Sequence, residues 1–482
     1  MASLFNLLNE ILWESILIYF LLGYSIYLTL RTRFIQFRHW REMFASLKPQ
    51  ADSDPRGMSA WQTLAVTLSG KIGVGNLFGV AMALTAGGPG AIFWMWVIAL
   101  LGMPIALIET TLAQVFKTRD QQGRFRGGPA EYMSRGLGMR WMGMLFALLM
   151  IFSVGVIFNT LQAHAITATL NAAFQIPPLY SSLGLVIIFG MVIFGGLRAI
   201  VNMSVWLVPI MSLAYLALGS WVMIANLQQL PAVFLLIFKS AFGLQEFVAG
   251  AFGYGVTLAM TQGIQQGLFA NEAGVGSAPN VAALAAVRHP AKIGFSQMLG
   301  VFVDTFVLCS ATAMIILSSG LLNAPSDHNS ADLLQRAITL SIGGGGPQWV
   351  ALFVLAFAFT SIIAGYLYAE NNLLFLQHGR TGSIYLLRLA MMLMLLVGCL
   401  TQMSWLWQTA SIFLAVMTII NLTALLLLSG LALKVVKDYE RQLLIGKEPV
   451  FNPQSFPELK DHCQSGIWQP EKPTARADSS AQ

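Results

Sequence analysis

From its beginning almost to residue 440 the chain alternates long apolar runs with short polar connections. Runs at 10–31, 59–86, 89–116, 141–170, 179–196, 201–226, 247–285, 293–320, 347–376, 384–402 and 405–434 are each long enough, as a helix, to cross a hydrocarbon core about 30 Å thick. The pattern predicts an all-α polytopic membrane protein with eleven transmembrane helices. A twelfth apolar stretch, 230–243, is too short to span and carries Lys239, so an interfacial helix on the outer side is expected there. Residues 1–440 read as a single transmembrane domain, and 441–482, polar and Pro-rich, as a cytoplasmic tail that is partly disordered. No soluble domain fits in any loop.

Composition removes whole classes of function. Of 482 residues 56% are hydrophobic and 10% charged, against roughly 25% charged in soluble domains. A water-soluble enzyme is excluded. Cys309, Cys399 and Cys463 lack CxxC spacing, so neither a disulfide framework nor a cysteine metal site is expected. The N-terminal stretch has no basic segment and carries Glu10 and Glu14, which fits a retained first span rather than a cleaved signal.

The charges then orient the spans. Lys and Arg number 27 against 21 Asp and Glu, a net +6. With eleven spans, 24 of the 27 cations fall on one side of the membrane. The positive-inside rule puts the N-terminus outside and the C-terminus in the cytoplasm. The surplus cations therefore report topology, and no nucleic-acid partner is implied. Lys239 and Arg336 lie on the outer side, and Lys71 lies inside a span.

Two spans cannot be continuous helices. SGKIGVGNLFG (Ser69 to Gly79) and LFANEAGVGSAPN (Leu268 to Asn280) put glycines and polar groups at membrane depth, and Pro279 cannot continue the backbone ladder. Unpaired backbone is tolerated there only if buried in protein or lining a wet cavity. Close packing through Gly75 and Gly79 explains the glycines, but not Lys71, Asn76, Asn271 and Glu272 beside them. With the first span set aside, spans 2–6 (about 58–226) and 7–11 (about 246–434) form two sets of five, each opened by a broken helix. Five is odd, so the sets enter from opposite faces: a five-plus-five inverted repeat with two discontinuous helices. In transporters that arrangement marks the binding site, with helix N-termini facing anionic groups and free carbonyls facing a small cation.

Five stretches also resemble the alanine or glycine:cation symporter family: GGPGAIFWMWVIALLG (Gly87 to Gly102), GVGNLFGVA (73–81), FRGGPAEYM (125–133), GLFANEAGVGSAPN (267–280) and YLYAENN (366–372). The resemblance runs from about residue 8 to about 460. It implies a LeuT-type fold, sodium-coupled uptake of small neutral amino acids and residence in the bacterial inner membrane. Carried over residue by residue, Gly73, Val74, Gly75 and Asn76 match the unwound segment that meets the substrate carboxylate. Asn271 to Ser277, including Gly274 and Gly276, match the break that closes around the amine and side chain. Thr360 and Ser361 match a hydroxyl pair that binds sodium with carbonyls near Ser69 and Ile72. Back-bonding to the preceding helical turn is the alternative for both hydroxyls. Gln162 matches a family glutamine and is placed in the pocket; an interhelical hydrogen bond is the competing reading. Asn159 shares its helical face, and His164 is expected to be structural. Alanine-type members often have tryptophan where this chain has Gly365. Glycine there implies room for a larger substrate such as glutamine or serine.

Lys71, Glu272 and Asp304 are charges well inside spans, with Glu109 and Glu370 nearer the inner ends. An unpaired charge at the bilayer centre costs at least ~2.5–3.5 kcal/mol, so Lys71 and Glu272 are expected to pair, directly or through water. The expected function is symport of a small neutral amino acid with Na⁺ into the cytoplasm, without a cofactor; membrane lipid is the other partner. A proton-coupled permease is the alternative. A channel lacks a repeated carbonyl filter, and an enzyme lacks a nucleophile–base pair or metal cluster by spacing.

Overall fold

A computed structural model describes residues 2–50, 54, 56–244, 249–323, 330–378, 382–398, 403–459, 462–464 and 466–468. Seven helices among them are long and apolar enough to cross a membrane: Leu7–Arg31, Gly90–Val115, Arg140–Phe174, Gly196–Ala225, Pro290–Ser318, Gly346–Leu376 and Ser404–Leu444. The pair Ala60–Lys71 and Gly75–Gly87, bent by 57°, makes an eighth. The three remaining expected runs hold Pro178–Phe194, Ala249–Asn271 and Ile384–Gly398. The short apolar stretch forms the helix Leu230–Ala241. Arg380 and Cys399 lie outside the described residues.

Local chemistry sets the helix ends. Ser59 caps the helix Ala60–Lys71, its hydroxyl accepting from the Gln62 N–H while Gln62 Oε1 accepts from the Ser59 N–H. Pro178 and Pro290 open their helices, where a missing N–H costs nothing. Widened π-type turns cover Gly75–Gly79, Ile151–Phe158 and Phe302–Cys309. They lie at or beside Asn76, Asn159 and Asp304, consistent with the tendency of such turns to occur at functional sites.

The helix Gly346–Leu376 runs through the centre of the bundle, and from Thr360 to Asn372 every residue is buried. By contrast Ile187, Met191, Phe194, Trp206, Ile210 and Leu213 point outward. So large an apolar face suits lipid rather than water.

Part of the tail is packed. The last long helix continues to Leu444, and the described residues of the tail, 445–459, 462–464 and 466–468, lie across the helix ends. The Phe451 N–H donates to Arg288 O at 2.9 Å, and Phe451 and Leu459 are buried. Lys117 Nζ lies 4.3 Å from the ring centres of both Phe125 and Trp468. Aromatic anchors hold a segment whose Pro-rich, polar composition reads as loose. Residues 469–482 lie outside the described residues.

Candidate functional site

The two breaks face each other, since a Cβ on Gly75 would stand 3.4 Å from Phe269 O. At the first break Ile72 leaves the helix with ψ 98°. The freed Gly73 N–H donates to Asn76 Oδ1 at 3.0 Å, and the Val74 N–H donates to Gln162 Oε1 at 3.1 Å. Gln162 thus meets the unwound backbone itself. A Cβ on Gly73 would stand 2.7 Å from Gln162 Nε2, so that close approach requires glycine.

The second break turns on three left-handed residues: Glu272 at φ +54°, Gly274 at +91° and Gly276 at +88°. For glutamate that conformation costs of order 1–3 kcal/mol unless its surroundings impose it. The Ala273 N–H donates to Asn271 Oδ1 at 3.0 Å, and Ser277 Oγ donates to Glu272 Oε2 at 2.5 Å. Asn421 Nδ2 donates to Gly274 O at 2.9 Å, and Asn280 Nδ2 to Gly276 O at 2.9 Å.

Asp304 joins the two. Asn76 Nδ2 donates to Asp304 Oδ1 at 2.7 Å, Thr305 Oγ1 donates to Asp304 Oδ2 at 3.1 Å, and Asn271 Nδ2 donates to Thr305 Oγ1 at 3.3 Å. This continuous chain from Gly73 to Ala273 satisfies both oxygens of a fully buried carboxylate.

Lys71 is not part of it. The expected direct contact with Glu272 is not formed: among the described residues Lys71 Nζ has no hydrogen-bond partner, and Glu272 is taken by Ser277. The ammonium lies in the combined field of Asp304, Glu109 and Glu272. Glu109 shares Asn421, which donates to it at 3.2 Å.

Of the hydroxyl pair, Ser361 Oγ donates to Gly70 O at 3.1 Å, linking the central helix to the carbonyls between Ser69 and Ile72. Thr360 Oγ1 back-bonds to Phe357 O at 2.9 Å, the alternative geometry considered for it. Ser69 Oγ donates to Val66 O at 2.7 Å and accepts from Ser204 at 3.4 Å. Both oxygens of the pair keep lone pairs that could face a cation. Among the described residues there is no group of three or more His, Cys, Asp or Glu suited to a metal.

Gly365 packs on Asn159: a Cβ there would stand 2.5 Å from Asn159 Oδ1. Asn159 Nδ2 donates to Ile362 O at 3.2 Å. The space that glycine leaves is therefore filled by a carboxamide. His164 Nδ1 pairs with Gly398 O at 3.1 Å, a satisfied structural contact.

Residues 1–453 match the sodium:alanine symporter family. This chain belongs to that family. The amino-acid carrier protein AlsT of Bacillus subtilis (strain 168) is 40% identical over 474 residues, covering 98% of this chain and 99% of AlsT. The probable sodium/glutamine symporter GlnT of the same strain is 39% identical over 461 residues, 95% of this chain and 94% of GlnT. Among solved structures, MhsT in complex with L-phenylalanine superposes with a TM-score of 0.53 at 16% identity, over 75% of this chain and 87% of MhsT. That likeness concerns the fold alone, the LeuT fold. The symporter is a multi-pass membrane protein that moves an amino acid together with a cation, and it is not an enzyme.

Asn421, Thr305, Asn280 and Tyr132, which donates to Asn421 Oδ1, are site residues that sequence reasoning missed. Tyr132 and Asn421 take their partners from remote helices, and Asn280 and Thr305 add remote partners to local ones, so sequence spacing does not show these contacts.

Proposed function

We propose that the chain is a sodium-coupled symporter that carries a small neutral amino acid of the alanine or glycine class into the cytoplasm across a bacterial inner membrane. Eleven spans, N-terminus outside and C-terminus inside, hold one N-terminal helix and two inverted repeats, about 58–226 and 246–434. The observation that carries the reading is the hydrogen-bond chain through Asp304 that ties both breaks together. Sodium binds between the Ser69 to Ile72 carbonyls and Thr360 and Ser361, drawing the central helix onto the first break. The substrate carboxylate takes the N–H groups at Gly73 to Asn76, displacing carboxamide contacts such as that of Gln162. The ammonium faces Asn271, Gly274 and Gly276. Rocking of one bundle against the other then opens the site inward.

Asn159 and Gly365 together set the pocket size. With Asn159 filling the space beside Gly365, a substrate larger than alanine, such as glutamine or serine, rests on the printed description of GlnT. The second reading, proton coupling, rests on Glu109, Glu272 and Asp304 being buried acids beside an unpartnered Lys71. The test is uptake of a panel of labelled amino acids into proteoliposomes under separately imposed Na⁺, Li⁺ and H⁺ gradients. Saturable uptake that needs the Na⁺ gradient is expected; uptake driven by H⁺ alone would move the assignment to the second reading.

A further inference from the structure

A polar cavity lies away from the breaks, at the cation-rich ends of the helices. It has a volume of about 350 Å³ and is walled by the Thr118–Arg140 connection and the last turns of the helix Gly346–Leu376. Asn371 lies about 9 Å along the helix axis from Gly365, six residues on.

Three buried wall residues, each under 7% exposed, have polar atoms without partners: Arg126 Nη1, Asn371 Oδ1 and Asn372 Oδ1. The hydrogen bonds fix which atoms these are. Asn280 Nδ2 is committed to Gly276 O and Ser277 O, so Asn280 Oδ1 must accept. Asn371 Nδ2 donates to it at 3.1 Å and Asn372 Nδ2 at 2.8 Å, which leaves both Oδ1 atoms over. Arg126 spends Nε on Asp120 at 3.2 Å and Nη2 on Glu370 at 3.4 Å, leaving Nη1.

Buried polar atoms seldom stay unpaired, because each costs ~1–3 kcal/mol. A bare anion would satisfy the guanidinium and leave two acceptors; a cation would do the reverse. A zwitterion answers both, with its carboxylate on Arg126 Nη1 and its ammonium on the two carboxamide oxygens; Glu131, another wall residue, is already paired with Arg135 at 2.9 Å. The volume falls within the roughly 300–1,000 Å³ of small-molecule sites.

We propose that this cavity is a second amino-acid site, on the release side, which receives the transported zwitterion after it leaves the breaks. The proposal rests on the reading of the chain as an inward amino-acid carrier. Asn280 couples the sites, since the side chain that anchors Asn371 and Asn372 also holds the Gly276 and Ser277 carbonyls of the second break.

Ser134 lines the cavity without bonding to the three orphaned groups and suits a reporter. In the Cys463→Ser chain, Ser134→Cys is labelled from the cation-rich side of inside-out vesicles with an impermeant thiol reagent, in sodium-free buffer. The amino acid that the parent transports best should slow labelling severalfold, and potassium phosphate or chloride should not. Protection should persist in Gln162→Ala and fall about tenfold in apparent affinity in Arg126→Gln. Independently, Ser134→Trp should fill the cavity and slow amino-acid exchange severalfold. Protection by phosphate or chloride alone, loss of protection in Gln162→Ala, or parental exchange in Ser134→Trp together with unprotected labelling would overturn the second site. A parent that takes up no amino acid would overturn the carrier reading instead.

Discussion

The two broken helices solve the same problem by different means. At the first break no residue from Ile72 to Asn76 has a left-handed backbone, and the freed N–H groups are met by the side chains of Asn76 and Gln162. At the second, three left-handed residues set the path, and its carbonyls are held by Asn421 from a remote helix and by Asn280 at the break's own end. Side chains can rotate away from the first break on a ligand's arrival. The second can change only by refolding its backbone. The first break is therefore the more adaptable half of the site and the second its frame, with Asp304 hydrogen-bonded between them.

The sharpest way to break this contrast is Gly276→Ala. A Cβ there meets Phe146 Cζ at 2.7 Å and Pro129 Cγ at 2.9 Å, on a backbone with φ +88°. Strain and overpacking together should cost about 3–5 kcal/mol, read as a large fall in thermal stability by fluorescence-detected gel filtration. Stability at the parental level would mean that the second break is not a rigid frame.

Asp304→Asn tests the link. The carboxamide can accept from Asn76 or Thr305 but loses the charge-assisted character of both bonds, worth about 1.5–3 kcal/mol. Uptake in proteoliposomes should fall by one to two orders of magnitude while the protein still folds. Unchanged uptake would uncouple the breaks.

Gly73→Ala should act differently from its counterpart at Gly276. The atom in its way is the end of a flexible glutamine, so thermal stability should change by less than about 1 kcal/mol. Uptake should nevertheless fall about tenfold, because Gln162 is pushed off Val74. A stability loss equal to that of Gly276→Ala would erase the distinction between the breaks.

The mildest probe is Ser361→Ala, which removes one hydrogen bond to Gly70 O, worth ~1 kcal/mol. Sodium-dependent uptake should need several times more sodium, with the amino-acid preference unchanged. The double replacement of Thr360 and Ser361 by alanine should weaken it further, and parental sodium affinity in the double variant would remove the sodium assignment.

Both breaks were legible because glycine, asparagine, lysine and proline at membrane depth have few explanations. Of the pairing expected for Lys71, the direct contact with Glu272 is absent: spacing placed the two level, but Ser277, five residues away, donates to the carboxylate. The role of Asp304 could not be read from sequence, since Asn76 lies 228 positions from it and only folding brings them together. The same holds for Asn280 with Asn371 and Asn372, 91 and 92 positions apart. The sequence did mark Gly365 as unusual, but the filling of its space by Asn159 needed coordinates. In the tail, prolines and charge hid the anchors Phe451, Leu459 and Trp468.

Those anchors bear on how the protein can be handled. A reporter or affinity tag fused beyond Trp468 leaves the Lys117 ammonium between its two aromatic rings. A fusion made directly after Leu444 would strip one ring away, bare the Arg288 carbonyl that holds Phe451, and release Gln464 from the Arg119 N–H. The useful attachment point is therefore some two dozen residues further along the chain than the end of the last helix suggests.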